Sequence, residues 1–239
     1  MNILLTISYL GKNYNGYQIQ KNGSSIQEEL EKALCSIVGK KIKTSASGRT
    51  DAFVSAIRQT VSFELDELPK NLDKRLNLVL PSDIRALSIK VEDENFHARF
   101  SAKRKTYLYN FYASNVNIPY LDQIALRVNE SIDIEKMKKQ VMFLIGTFDF
   151  SSFCASGSSV EDKVRTIYNA KILDNGLFYS LEITGNGFLY NMVRIIMGTL
   201  IEVGYGKIDS LEKVISSKSR EMAGKTVPPT GLVLKDVQY

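Results

Sequence analysis

The sequence predicts an α+β fold made of two similar halves, each built on mostly antiparallel sheet. Three observations predict it. Short apolar runs of period two outnumber the helical stretches, the runs arrive in hairpin-like pairs, and they do not alternate with helices as a parallel βαβ fold requires. A chain of 239 residues, 44% of them hydrophobic, is long enough to bury two such cores. We place the halves at residues 1–102 and 103–239, a join that no Pro/Ser-rich linker marks.

Each element has its own signal. Ile3, Leu5, Ile7 and Tyr9 alternate with smaller or polar residues and read as a first strand, followed by a Gly- and Asn-rich loop over 11–23. Ser25 lies three residues before Glu28, a capping box, and Ile26, Leu30, Ala33, Leu34, Ile37 and Val38 then share one helical face up to Gly39. A basic strand, Lys41–Thr44, leads into the polar loop Gly48-Arg49-Thr50-Asp51, with a further strand near Gln59–Glu64. Leu72, Leu76 and Val79 predict a short helix stopped by Pro81. Strands follow at Ile84–Val91 and Tyr107–Tyr112.

In the second half, Ile134, Met137, Val141, Leu144 and Ile145 line a helix. Strands at Arg165–Leu173 and Leu177–Thr184 are joined through Asn175-Gly176, a favoured tight-turn pair. Leu189–Val203 is apolar nearly all round, which predicts a buried helix. A shorter helix near Leu211–Ile215 precedes a last strand, Leu232–Tyr239.

Composition excludes several classes of function. Two cysteines, Cys35 and Cys154, do not make a disulfide framework and fit a reducing cytosol. With His97 as the only histidine, soft ligands are too few for a zinc site, and there is little room for a Ser-His-Asp or Cys-His hydrolase. No run approaches the ~20 apolar residues of a membrane span, and the N-terminus lacks a signal peptide's basic flank and cleavage site. A soluble, cytoplasmic protein is expected. The net charge of +5 is compatible with a polyanionic partner without establishing one. Lys103-Arg104-Lys105 beside Tyr107, Tyr109, Phe111 and Tyr112 fits either a solvated charge run or an RNA surface of cations and stacking rings.

Two nucleotide motifs fail on inspection. Gly224-Lys225-Thr226 looks like the tail of a P-loop, but Ser219 stands where the upstream glycine belongs, and Pro228-Pro229 forbids the following helix. Gly185-Asn186-Gly187 would need a third glycine at Tyr190 to bind a dinucleotide, so a tight turn before a helix is the better account.

One loop carries chemistry. Gly48-Arg49-Thr50-Asp51-Ala52 between two strands can be an ordinary Asp-containing turn. Its functional reading is that Arg49 helps orient an ionised Asp51 carboxylate, the form needed for nucleophilic attack on an activated sugar or base.

The longer segment Gly48-Arg49-Thr50-Asp51-Ala52-Phe53-Val54-Ser55-Ala56 resembles the GRTDAGVHA signature of the tRNA pseudouridine synthase A family. Four more blocks match in order: Tyr9 to Gln20; Phe96-His97-Ala98-Arg99-Phe100-Ser101-Ala102 with Tyr107-Leu108-Tyr109; Phe188 to Leu200; and Ala223-Gly224-Lys225-Thr226 with Pro228-Pro229-Thr230-Gly231-Leu232. The resemblance covers residues 9 to 239. It implies that Asp51 is the catalytic nucleophile or base, that Arg194 pairs with it, and that Tyr107 packs against the flipped uracil. It further implies that Leu232 lines the base pocket and that Arg49 contacts RNA backbone. The implied fold has two α+β halves whose sheets join across a catalytic cleft. The implied assembly is a homodimer gripping the tRNA anticodon stem-loop, with uridines 38, 39 and 40 as targets. The isomerisation exchanges an N-glycosidic for a C–C bond without net redox or hydrolysis, so no cofactor or metal is expected.

Three positions depart from the family pattern: Phe53 replaces Gly, Ser55 replaces His, and Tyr17 replaces Trp. All lie in loops expected to meet RNA, as in a diverged paralogue with altered site choice. Phe53 is expected to remove the positive φ that glycine would permit, and its ring stacks on a neighbouring nucleotide, wedges into the stem or fills a core gap. The rival functions are a catalytically silent RNA-binding homologue and a carboxylate-dependent nucleoside hydrolase. Retention of Asp51, Tyr107 and Arg194 together opposes the first, and the absence of an obvious second acid opposes the second.

Overall fold

A computed structural model describes residues 1–158 and 160–239. In chain order its elements are β1 (Asn2–Tyr9), α1 (Ile26–Val38), β2 (Ser45–Ala46), β3 (Ser55–Glu64), α2 (Leu72–Val79), β4 (Ile84–Glu92), β5 (Arg104–Ala113), β6 (Leu126–Val128) and α3 (Ile134–Gln140). They continue as β7 (Gly146–Asp149), β8 (Val164–Asp174), β9 (Tyr179–Gly185), α4 (Met192–Gly204), α5 (Leu211–Ser217) and β10 (Leu232–Gln238). The chain divides into one compact unit of Met1–Lys103 with Val233–Tyr239, and a second of Arg104–Leu232.

The first unit is a sheet in the order β4-β1-β3-β10, with β2 paired to β3. Its β1–β3 and β1–β4 pairs are antiparallel, while β10 joins β3 in parallel through Val233↔Ser55 and Leu234↔Ala56. As the strand between β3 and β4, β1 is buried on both faces: Asn2, Leu4 and Thr6 are covered as well as Ile3, Leu5 and Ile7. The alternation in its sequence therefore reflects two differently filled faces rather than one dry and one wet face. Helix α1 starts where expected, with Ser25 Oγ accepting from Glu28 N at 3.3 Å, and buries Ile26, Leu30, Ala33 and Leu34.

The expected basic strand at Lys41–Thr44 does not form. Ile42 and Thr44 point inward as its pattern requires, but Thr44 N and Oγ1 both donate to Glu31 Oε1, at 2.8 and 2.9 Å. A side-chain carboxylate thus takes the place of a ladder partner, and pairing begins only at Ser45.

The second unit is a sheet in the order β5-β9-β8-β7 with β6 added in parallel to β5. Its remaining pairs are antiparallel, so the mostly antiparallel α+β expectation holds in each unit. Three boundaries move. The β8–β9 turn is centred on Gly176-Leu177 and not Asn175-Gly176, since Asn175 N donates to Phe178 O at 3.0 Å and Gly176 takes φ 81°, as the first central residue of a II′ turn does. Leu177 therefore lies outside β9. Helix α3 tightens into a 3-10 turn at Val141–Leu144. Helix α4 begins at Met192, because Asn191 takes a left-handed conformation and leaves Leu189 and Tyr190 in the preceding turn.

Among the described residues no helix is long and apolar enough to cross a membrane.

Candidate active site

The Asp51 loop is shaped by the segment that follows β1. Tyr17 N donates to Thr50 O (3.1 Å), Phe53 N donates to Tyr14 O (3.2 Å), and Gly11 N donates to Ser55 Oγ (3.0 Å). The start of α1 fixes that segment in turn, with Ile26 N and Gln27 N donating to Gly16 O and Tyr17 O. The approach at Gly16 is so close that a Cβ there would lie 2.8 Å from Thr50 O, and Gly16 itself has φ 95°. Both the contact and the backbone conformation demand glycine.

A buried polar network holds the loop from beneath. Tyr9 Oη and Thr50 Oγ1 share a hydrogen bond of 2.8 Å. On β3, Gln59 is 0% exposed; its Nε2 donates to Gly48 O at 2.9 Å, and its Oε1 accepts from Ser47 Oγ at 2.6 Å and Thr60 N at 3.1 Å. Burial pushes the Tyr9 phenol up to about 12, against a smaller downward pull from the Thr50 hydroxyl and the Gln59 amide, so it stays neutral at physiological pH. The sequence reading missed Tyr9 and Gln59 as loop supports. The one available signal was a glutamine at an inward position of a strand, a residue that is rarely buried without partners.

On this loop Asp51 is half-buried, and its carbonyl accepts from Val54 N at 3.2 Å, closing a β-turn over Asp51–Val54. Arg49 is exposed and forms no ion pair among the described residues, so the expected Arg49–Asp51 pairing is absent. Thr50 is tied inward to Tyr9, and its neighbour Arg49 is left facing solvent. Phe53 also departs from expectation. It takes φ 67°, so the phenylalanine has kept the positive φ expected to be lost, and at 49% exposure it fills no core gap. Tyr17, in place of the family's Trp, is buried, and its hydroxyl meets no partner at hydrogen-bond geometry among the described residues.

The second unit carries the other candidates. Arg194, half-buried in the first turn of α4, donates from Nε to Val227 O and from Nη1 to Asn191 Oδ1, both at 2.8 Å. Val227 is brought there by a close backbone crossing. A Cβ on Gly198 would fall 1.8 Å from Lys225 O, and Gly224 N donates to Thr199 Oγ1 at 2.9 Å. The segment that mimics a P-loop tail is therefore a brace for α4. Tyr109 is fully buried, donates to Pro228 O at 2.6 Å, and continues the same brace; burial raises its phenol pKa while the Arg194 charge opposes the rise. Tyr107 is half-buried with its ring edge-on to Phe188, centroids 5.1 Å apart. Leu232 is almost fully buried at the start of β10, after the Pro229–Gly231 turn.

Of the basic run, Arg104 lies over the Tyr168 ring, 4.4 Å from its centroid. The FHARF-like segment is tied down in the first unit, with Ala98 N donating to Ser62 Oγ (3.0 Å) and Tyr239 Oη donating to Ala98 O (3.0 Å). Among the described residues no group of three or more His, Cys, Asp or Glu side chains is arranged to hold a metal ion.

Known proteins resemble this chain over its whole length. The tRNA pseudouridine synthase family profile matches residues 141–239. The tRNA pseudouridine synthase A of Thermoanaerobacter sp. (strain X514) is 43% identical over 242 residues, covering 100% of this chain and 99% of the relative. That of Bacillus subtilis (strain 168) is 41% identical over 245 residues, with the same coverage. A crystal structure of a Cbf5-Nop10-Gar1 complex aligns with 83% of this chain and 45% of its own at 14% identity and a TM-score of 0.38, an overlap too loose to bear on function.

Proposed function

Because the chain belongs to the tRNA pseudouridine synthase A family, we propose that it isomerises uridine to pseudouridine in the tRNA anticodon stem-loop, with Asp51 as the catalytic carboxylate. The observation that carries the residue assignment is the restraint on the Asp51 loop. Bonds to Gly48 O, Thr50 O, Thr50 Oγ1 and Phe53 N bracket the aspartate on both sides. A carboxylate held in one place suits a reaction in which a detached base must be met at a fixed position, since positioning supplies much of such a rate enhancement.

The remaining roles follow from the family resemblance and are compatible with each residue's setting. Arg194 serves the Asp51 carboxylate, its guanidinium pre-oriented by Val227 O and Asn191. Tyr107 packs on the extruded uracil, and Leu232 forms an apolar wall that excludes water from the cleaved glycosidic bond. Arg49, exposed and without an ion pair among the described residues, contacts RNA phosphate. The active assembly is a homodimer, and the targets are uridines 38, 39 and 40.

The test is to incubate unmodified tRNA with the protein and map carbodiimide-dependent reverse-transcription stops. Stops in the anticodon stem-loop with wild type, and none with Asp51→Asn at tRNA affinity within a few-fold of wild type, are expected. Substantial product from Asp51→Asn would overturn the assignment of the carboxylate, and free uracil in place of pseudouridine would indicate hydrolysis.

A further inference from the structure

Phe53 lies two residues beyond Asp51, and its conformation and its exposure both run against fold stability. It is the third residue of the Asp51–Val54 turn, where its φ of 67° is a conformation that glycine adopts freely and a residue with a Cβ does not. A bulky side chain in that region is an outlier that the surroundings must enforce, and the Phe53 N–H bond to Tyr14 O helps enforce it. The ring is only partly packed, being 49% exposed with no aromatic or cation–π contact among the described residues. Two cationic residues lie close by along the backbone. Arg49 is exposed four residues earlier, and Lys12 is exposed next to Gly11, whose backbone packs on the Phe53–Val54 peptide.

An exposed aromatic ring on a fixed backbone, with cationic residues on neighbouring segments, is an arrangement by which proteins hold single-stranded nucleic acid, through stacking on a base face and attraction to phosphate. We propose that Phe53 is a substrate-contact residue whose ring stacks on an unpaired nucleobase of the RNA beside the target uridine and so biases which uridine reaches Asp51. The proposal rests on the reading of the substrate as RNA. Because the turn already fixes the backbone, little freedom remains to be lost on binding, and the strain is the cost of holding the ring outward in advance.

The experiment compares wild type with Phe53→Gly, Phe53→Leu and Phe53→Tyr. It measures affinity for an unmodified anticodon stem-loop RNA, the pseudouridine site list, and the melting temperature. Stacking of one base is worth a factor of roughly 5 to 150 in affinity, so Phe53→Gly is expected to bind more weakly by that range. Its melting temperature should stay within about 3 °C of wild type, a change of roughly 1 kcal/mol in a chain of this size. Phe53→Tyr keeps a flat face and should bind within about two-fold of wild type, whereas Phe53→Leu, apolar but without that face, should weaken as glycine does. Wild-type affinity and an unchanged site list for Phe53→Gly would overturn the proposal, as would full binding by Phe53→Leu. Because affinity is read without turnover, a wild-type protein that binds the RNA through Phe53 and makes no pseudouridine would sink the functional reading alone. One that makes pseudouridine indifferently to Phe53 would sink this inference alone.

Discussion

Replacing Gln59 by leucine tests whether the network beneath the Asp51 loop holds it in place. Leucine matches the glutamine in size and suits a site that is 0% exposed, so packing changes little. Three hydrogen bonds disappear: Ser47 Oγ and Thr60 N lose their acceptor, and Gly48 O loses its donor. Ser47 takes part in a further interaction, while Thr60 N is left without an acceptor in a buried setting and Gly48 O without a donor in a partly buried one. Each of these two groups costs about 1–3 kcal/mol and the leucine recovers about 1 kcal/mol by its apolar burial, so the net loss is roughly 1–5 kcal/mol. In a chain of this size that lowers the melting temperature by roughly 2–20 °C. Gly48 opens the loop that carries Asp51, so untying it should also lower kcat by about tenfold or more, with a smaller change in KM. A charge variant separates the loop tie from general stability. Gln59→Glu sets an oxygen against Gly48 O when ionised, and a donor when protonated. Its folded pKa is thereby raised, so the stability it retains is fully present below about 4.3, the ordinary glutamate value, and is lost as pH rises through the folded value. Thermal melts and single-turnover kinetics on unmodified tRNA provide the readouts. A melting shift under 2 °C with kcat within two-fold for Gln59→Leu would refute the reasoning.

Arg194→Met keeps an apolar stem beside α4 but removes the bonds to Val227 O and Asn191 Oδ1; a folded protein with at least a hundredfold lower turnover is expected, and near-normal turnover would make the arginine structural only. Tyr17→Phe deletes a buried hydroxyl that meets no partner at hydrogen-bond geometry among the described residues, so urea denaturation should show unchanged stability or a gain of up to about 1 kcal/mol, and a loss of more than about 1 kcal/mol would show that the hydroxyl is bonded, with Thr44 the nearest candidate. Stability should fall in alkali. Burial raises the Tyr9 phenol from its ordinary 10.0 to about 12, so the unfolded chain ionises first. Stability that is intact below pH 10 is then lost between about 10 and 12, by roughly 2–3 kcal/mol from this residue, and a flat urea midpoint across that window would contradict the shift.

Local pattern made much of this fold legible. Leu72, Leu76 and the stop at Pro81 delimit α2 at the residues observed, and Ser25 with Glu28 marks the start of α1. What stayed hidden is long-range partner choice. Nothing in Lys41–Thr44 says that Glu31, thirteen residues before Thr44, will occupy its backbone, and nothing in Val233–Tyr239 says that this last segment returns to pair with β3 in the first unit. The proposed site residues divide the same way. Asp51, Arg194, Tyr107 and Leu232 are recognisable because their motifs are contiguous, whereas Tyr9 and Gln59 support the loop from neighbouring strands, and no spacing rule links them to it.

Phe53 shows which level prevails when local preference and tertiary restraint disagree. Residue type alone predicts that phenylalanine moves the turn out of the left-handed region. That prediction treats the turn as free to relax. Here the turn is bound on one side by Tyr14 O, on the other by the Val54–Asp51 bond, and from below by the Tyr9 and Gln59 contacts to the residues before Asp51. Relaxing φ at one residue would break several of these bonds, each worth about as much as the strain itself, so the backbone keeps the shape a glycine would take. A substitution in such a loop changes what the surface offers an RNA more readily than it changes where the carboxylate stands. That accounts for how a loop can hold its aspartate in place while the residue two positions on departs from the family pattern.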